Sequence, residues 1–112
     1  MGRPNAIQDK SRAFAIRVIK CYQYLTDEKH EYIMSKQLLR SGTSIGANTR
    51  ESKNAQSRMD FLNKLNIALK EADETDYWLD LLHETGYLDE VNQRKENWIS
   101  GKEKYQHDYN YS

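Results

Sequence analysis

The sequence predicts an all-α protein, an antiparallel up-and-down four-helix bundle with a weak fourth helix. The one proline is at position 4, so nothing later in the chain must break a helix. Apolar residues recur at steps of three and four, not in alternation. The polar stretches between periodic segments are short, which makes consecutive helices antiparallel neighbours. The whole chain, 1–112, reads as a single helical-bundle domain able to bury a core without a metal or disulfide.

The first helix is expected over about 7–25. Ile7, Ser11, Phe14, Val18, Cys21 and Leu25 step by 4, 3, 4, 3, 4 and form one stripe, widened by Ala15 and Tyr22. Asn5 and Gln8 stand at capping-box spacing. The polar run Thr26 to His30 reads as the connection.

The second helix is expected over about 31–54, opening on the bulky Tyr32, Ile33, Leu38 and Leu39. Its middle, Arg40-Ser41-Gly42-Thr43-Ser44-Ile45-Gly46-Ala47-Asn48, carries two glycines, each costing a helix about 1 kcal/mol against alanine. Leu38, Ile45 and Ser52 nevertheless keep heptad spacing, so a continuous helix is the better reading, its small residues admitting a close neighbour. A phosphate-binding glycine loop would need a preceding strand and a following Gly-Lys-Ser/Thr, and has neither.

The third helix is expected over about 58–84. Ser57 and Asp60 mark its start. Phe61, Leu65, Ala68, Ala72, Thr75, Leu79 and Leu82 form a heptad seam, with Ile67, Trp78 and Leu81 as a second apolar line. So wide a stripe suits a helix that also meets another subunit. Gly86 ends the run. The fourth helix, about 89–104, is weak because Lys95 and Lys102 fall on its seam and Gly101 interrupts it. The tail 105–112 has no clear period and is expected to be mobile.

The composition, 38% hydrophobic and 30% charged, is too charged for a membrane protein and too apolar for full disorder. No apolar run approaches the roughly 20 residues that span a bilayer, and Met1 to Asn5 lacks the order of a signal peptide. A lone cysteine, Cys21, makes no internal disulfide and reads as core packing. A cytoplasmic protein without membrane contact is the expectation.

No catalytic or metal chemistry stands out, and neither cofactor nor metal site is expected. Di-iron bundles use Glu-x-x-His on inward faces. Here Asp27 with His30 falls in a connection, and Asp80 with His83 flanks inward positions held by Leu79 and Leu82. There is no Cys-x-x-Cys for zinc. Asp73, Glu74 and Asp76 read as a solvated or cross-paired acidic face, so the protein is not read as an enzyme.

Charge is more informative. The net charge is zero, but residues 1–56 carry ten Lys/Arg against five Asp/Glu, and residues 57–112 carry seven against twelve. Lys36, Arg40, Arg50, Lys53 and Arg58 line the second helix and its exit, where they form a candidate phosphate-binding set. The competing reading pairs them with the acidic third helix, Arg40 with Glu71 or Glu74.

The stretch Lys36-Gln37-Leu38-Leu39-Arg40-Ser41-Gly42-Thr43-Ser44-Ile45-Gly46-Ala47-Asn48 resembles the four-helix-bundle proteins encoded within intervening sequences of bacterial 23S rRNA genes, often labelled S23 ribosomal proteins. So do Asp60-Phe61, Lys64 to Thr75 and Tyr77-Trp78-Leu79. The resemblance covers roughly 10–86 and fails after Gly86. It implies an antiparallel four-helix bundle assembled as a homopentamer, with a kinship to accessory proteins of diversity-generating retroelements, which bind nucleic acid through a basic surface. By analogy it implies an RNA-associated, non-catalytic role. By position, Ser41, Ser44, Asn48 and Glu51, with Arg40, match its second-helix motif, and Glu71 and Glu74 its third. These are expected as buried or interface polar contacts that fix register. Two readings stand: a nucleic-acid-associated oligomer, and a protein–protein scaffold that binds no nucleic acid.

Overall fold

The computed structural model describes residues 6–89, in three helices: α1 (Ala6–Asp27), α2 (Met34–Ser52) and α3 (Arg58–Glu84). No strand occurs among the described residues. The expected fourth helix, the tail and the Asn5 cap lie outside them. No described helix is long and apolar enough to cross a membrane.

The middle helix is α2, with α1 and α3 packed along it rather than along one another. Both pairs are antiparallel, because contacts climb one helix while descending the other. Ser11 meets Thr49 and Val18 meets Gly42 across α1 and α2. Lys64 meets Glu51 and Thr75 meets Ser41 across α2 and α3.

The α1 stripe is buried as expected at Ser11, Phe14, Val18, Cys21 and Leu25. Ile7 is the exception, at 50% exposure, because the three described helices leave that end of the bundle uncovered. Burial pushes the Cys21 thiol far up, so it stays protonated and inert.

Helix α2 runs unbroken through both glycines. At Gly42 the neighbouring α1 comes close: a Cβ there would sit 2.7 Å from both Val18 methyls. The expected start at residue 31 is corrected. Glu31 lies outside the helix, buried, and caps it. Its Oε1 accepts from Ser35 N at 2.7 Å, and its Oε2 from Met34 N at 2.9 Å and Ile33 N at 3.2 Å. Ser35 Oγ returns a bond to the Glu31 carbonyl at 2.7 Å. The backbone therefore cannot enter the helix before Met34, and Tyr32 and Ile33 project into solvent instead of opening the core stripe. His30 completes the turn with φ 54°, the left-handed region.

Helix α3 has its expected bounds. Ser57 Oγ accepts from Asp60 N at 3.0 Å, while Asp60 reaches back one residue beyond the usual box, to Gln56 N. At the far end Gly86, φ 88°, closes a Schellman motif: Tyr87 N donates to Leu82 O at 2.9 Å and Gly86 N to His83 O at 3.1 Å. That reversal drops Leu88 into a core with Cys21, Leu25, Leu38, Leu79 and Leu82. The α3 seam is buried from Ala68 to Leu82, but Phe61 is 41% exposed for the same reason as Ile7.

Candidate functional site

Small hydroxyls, not aliphatics, fill much of the α2 interface. Ser35, Ser41, Thr49 and Ser52 are buried on α2, Ser11 on α1 and Thr75 on α3. Ser11 Oγ and Thr49 Oγ1 are 2.9 Å apart, as are Ser41 Oγ and Thr75 Oγ1. Each also bonds within its own helix, Thr75 to Glu71 O at 2.7 Å and Thr49 to Gly46 O at 3.0 Å. These buried hydroxyls are thus satisfied without charge.

The expected polar contacts divide. Ser41 is a buried cross-helix contact. Ser44 and Asn48 are half-buried and bond along α2, Ser44 Oγ to Arg40 O and Asn48 Nδ2 to Ser44 O. Glu51 is no core contact, since its exposed side chain pairs with Lys64 at 2.8 Å. That pairing, with the hydrogen bond leading, raises the Lys64 pKa. Glu71 and Glu74 hold Arg40: Nη2 lies 2.6 Å from Glu74 Oε2 and Nη1 3.4 Å from Glu71 Oε1. Trp78 Nε1 donates to the same Glu74 oxygen at 2.9 Å. Arg40, then Trp78, holds the Glu74 carboxyl below its ordinary range, and the two glutamates raise the Arg40 pKa further.

That clamp takes Arg40 out of the candidate basic set. Lys36, Arg50, Lys53 and Arg58 remain exposed, and none forms an ion pair among the described residues. Two of them, Arg50 and Lys53, are brought together at a groove between α1 and α2. It is about 570 Å³ and is lined by Gln8, Asp9, Ser11, Arg12, Ala15, Thr43, Gly46, Ala47, Arg50 and Lys53. Arg12, from α1, is the member the sequence reading missed; no local pattern marks it, because only helix packing brings it to the groove that Arg50 lines. Lys36 and Arg58 do not line this groove.

A second groove, of about 360 Å³, is almost wholly apolar. It runs between α1 and α3 over α2 and is lined by Ile7, Lys10, Ser11, Phe14, Ile45, Thr49, Leu65, Ala68, Leu69 and Ala72. No cluster of three or more His, Cys, Asp or Glu is placed to hold a metal among the described residues. Asp27 ends α1 while His30 sits in the turn, bonded to the Tyr32 hydroxyl at 3.1 Å. His83 lies on α3, 4.0 Å from Glu84.

These features define an all-helical, hydroxyl-seamed protein that carries, among the described residues, a cationic groove and an apolar groove. The model of the 23S rRNA-intervening sequence protein family matches residues 3–100, and the chain belongs to that family. It is similar to a crystal structure from Bacteroides thetaiotaomicron, described as a protein of unknown function from the S23 ribosomal protein family. The two are 51% identical with a TM-score of 0.81, over 91% of this chain and 93% of that one. No curated protein matches.

Proposed function

We propose that this protein is a non-catalytic, cytoplasmic helical oligomer, a homopentamer by family resemblance, that associates with RNA. The observation carrying this reading is the convergence of Arg12, Arg50 and Lys53 on one groove with no ion pair among the described residues. Unpaired cations on a neutral chain favour a phosphate-rich partner, and the family's link to 23S rRNA genes supplies the context. Fluorescence anisotropy with a structured ribosomal RNA fragment at several salt concentrations tests it. Saturable binding that weakens steeply with salt is expected; no binding at low salt overturns it.

A scaffold that binds no nucleic acid is the second reading. Exposed Leu62, Leu69 and Met59 on α3 favour it. A stable oligomer indifferent to RNA would establish that reading.

The proposal also retains a fourth helix, over about 89–104, seated in the apolar groove. Two observations support it: Gly86, φ 88°, reverses the chain at the end of α3, and Leu88 just after it is buried in the core. Trp78→Phe leaves Trp98 as the sole tryptophan. Its emission should be blue-shifted, and Leu69→Glu in the groove should return it to the red. Emission of fully hydrated tryptophan before the second substitution would remove the seat.

A further inference from the structure

Resting on the RNA reading, we infer that the α1/α2 groove holds the sugar–phosphate backbone of double-stranded A-form RNA, with Arg12 as a phosphate ligand beside Arg50 and Lys53. It reads neither base edges nor unpaired strands.

The cations sit on both walls, Arg12 on α1 and Arg50 and Lys53 on α2, and Asp9 is the one carboxylate among the lining residues. A phosphate lying between the helices therefore meets positive charge from two sides. The floor is made of small side chains. Gly46 lies so close to α1 that even its own Cβ would be 3.4 Å from the Ser11 carbonyl oxygen, and Ala15 and Ala47 continue the low surface. A ribose can approach such a floor.

Single strands are gripped by stacking bases on aromatic rings, worth about 1–3 kcal/mol per base. The chain has eight tyrosines, two tryptophans and two phenylalanines, and none lines this groove. What the groove offers is charge and hydrogen bonding, which suits a helix whose bases stay paired.

Gln8 favours ribose over deoxyribose. Its Nε2 donates to the Thr49 carbonyl at 3.0 Å, which fixes the amide orientation because a carbonyl only accepts. Oε1 is left as a buried acceptor with no donor among the described residues. Gln8 itself lines the groove, so this spare acceptor lies beside the proposed backbone site. A DNA backbone carries acceptors alone, whereas RNA carries a 2′-hydroxyl donor on every nucleotide.

The test compares three labelled probes at several salt concentrations: an RNA hairpin duplex, an unstructured RNA of equal length, and a DNA duplex of the hairpin's sequence. The full chain is measured as wild type, Arg12→Ala and Lys70→Ala, the last an exposed α3 residue outside the groove. Circular dichroism checks that each variant is folded. The RNA duplex should bind at least about ten-fold tighter than either other probe. Arg12→Ala should weaken it about five-fold and lower the log–log salt slope by about one, with Lys70→Ala within about two-fold of wild type. Equal binding of the unstructured RNA or the DNA duplex overturns the assignment to A-form RNA. Duplex binding untouched by Arg12→Ala overturns the groove and leaves the RNA reading standing. Absence of all RNA binding by wild type removes the RNA reading, and this inference with it.

Discussion

The two ends of the bundle are built from different material. At the end where α1 finishes and α2 begins, Cys21, Leu25, Leu38, Leu79, Leu82 and Leu88 close a dense aliphatic core. At the opposite end Ser11 and Thr49 meet through hydroxyls, and Phe14, Ile45 and Leu65 border an open apolar groove. Three helices suffice to close the first end only because the chain turns back at Gly86 and adds Leu88. At the second end nothing among the described residues performs that service. Among the described residues, dense packing is therefore concentrated at the first end.

The largest effect should come from truncating the closed end. Leu82→Ala removes a fully buried side chain and is expected to cost about 3–4 kcal/mol, against about 1 kcal/mol for Leu65→Ala at the open end. Urea denaturation measures both, and equal losses would abolish the distinction between the ends. Next is the notch joining them. Gly42→Val drives a branched side chain into Val18 and should cost about 2–3 kcal/mol. Gly46→Ala, whose new methyl meets the Ser11 carbonyl oxygen at a tolerable 3.4 Å, should be neutral or stabilising by up to about 1 kcal/mol.

A smaller effect attaches to the cap at the closed end. Glu31→Ala strips three backbone N–H groups of their acceptor and should cost about 1–2 kcal/mol. Hydrogen exchange should show the first turn of α2 opening well before its middle. The smallest belongs to the surface clamp. Glu74 has a depressed pKa, so its contribution is present above the ordinary glutamate value and lost as pH falls through the lower folded value. With its side chain about a third exposed, Glu74→Gln should cost only about 0.5 kcal/mol at pH 7. The gap between variant and wild type should close progressively below about pH 4.3. A gap unchanged at acid pH would mean the pair contributes through packing alone.

Features set by neighbouring residues were legible in the sequence. The α3 bounds followed from Ser57 and Gly86, the unbroken α2 from heptad spacing across two glycines, and the Arg40 pairing from the charge asymmetry. The α2 start was not legible, because its cap is a glutamate four residues before Ser35 rather than a short polar side chain at the usual spacing. Glu51 lies outside the core and pairs with Lys64, because a match to a motif says nothing about which face a residue occupies. Arg12 was invisible as a site residue because no neighbour on α1 marks it, and only tertiary packing brings it to the same groove as Arg50. The apolar groove appears in sequence merely as stripe residues such as Ile7 and Leu65, and their exposure depends on what else covers them.

The notch at Gly42 and the two hydroxyl pairs also have a mechanical consequence. Aliphatic surfaces can slip past one another, trading one contact for a similar one. Here a slide of α2 by one helical turn, about 5.4 Å, would lift Val18 out of its notch and part Ser11 from Thr49 and Ser41 from Thr75 together. These contacts act as detents, stiff against shear along the axis. When pulled along its length, the bundle should behave like a ratcheted stack, its helices holding their alignment until all three contacts release at once.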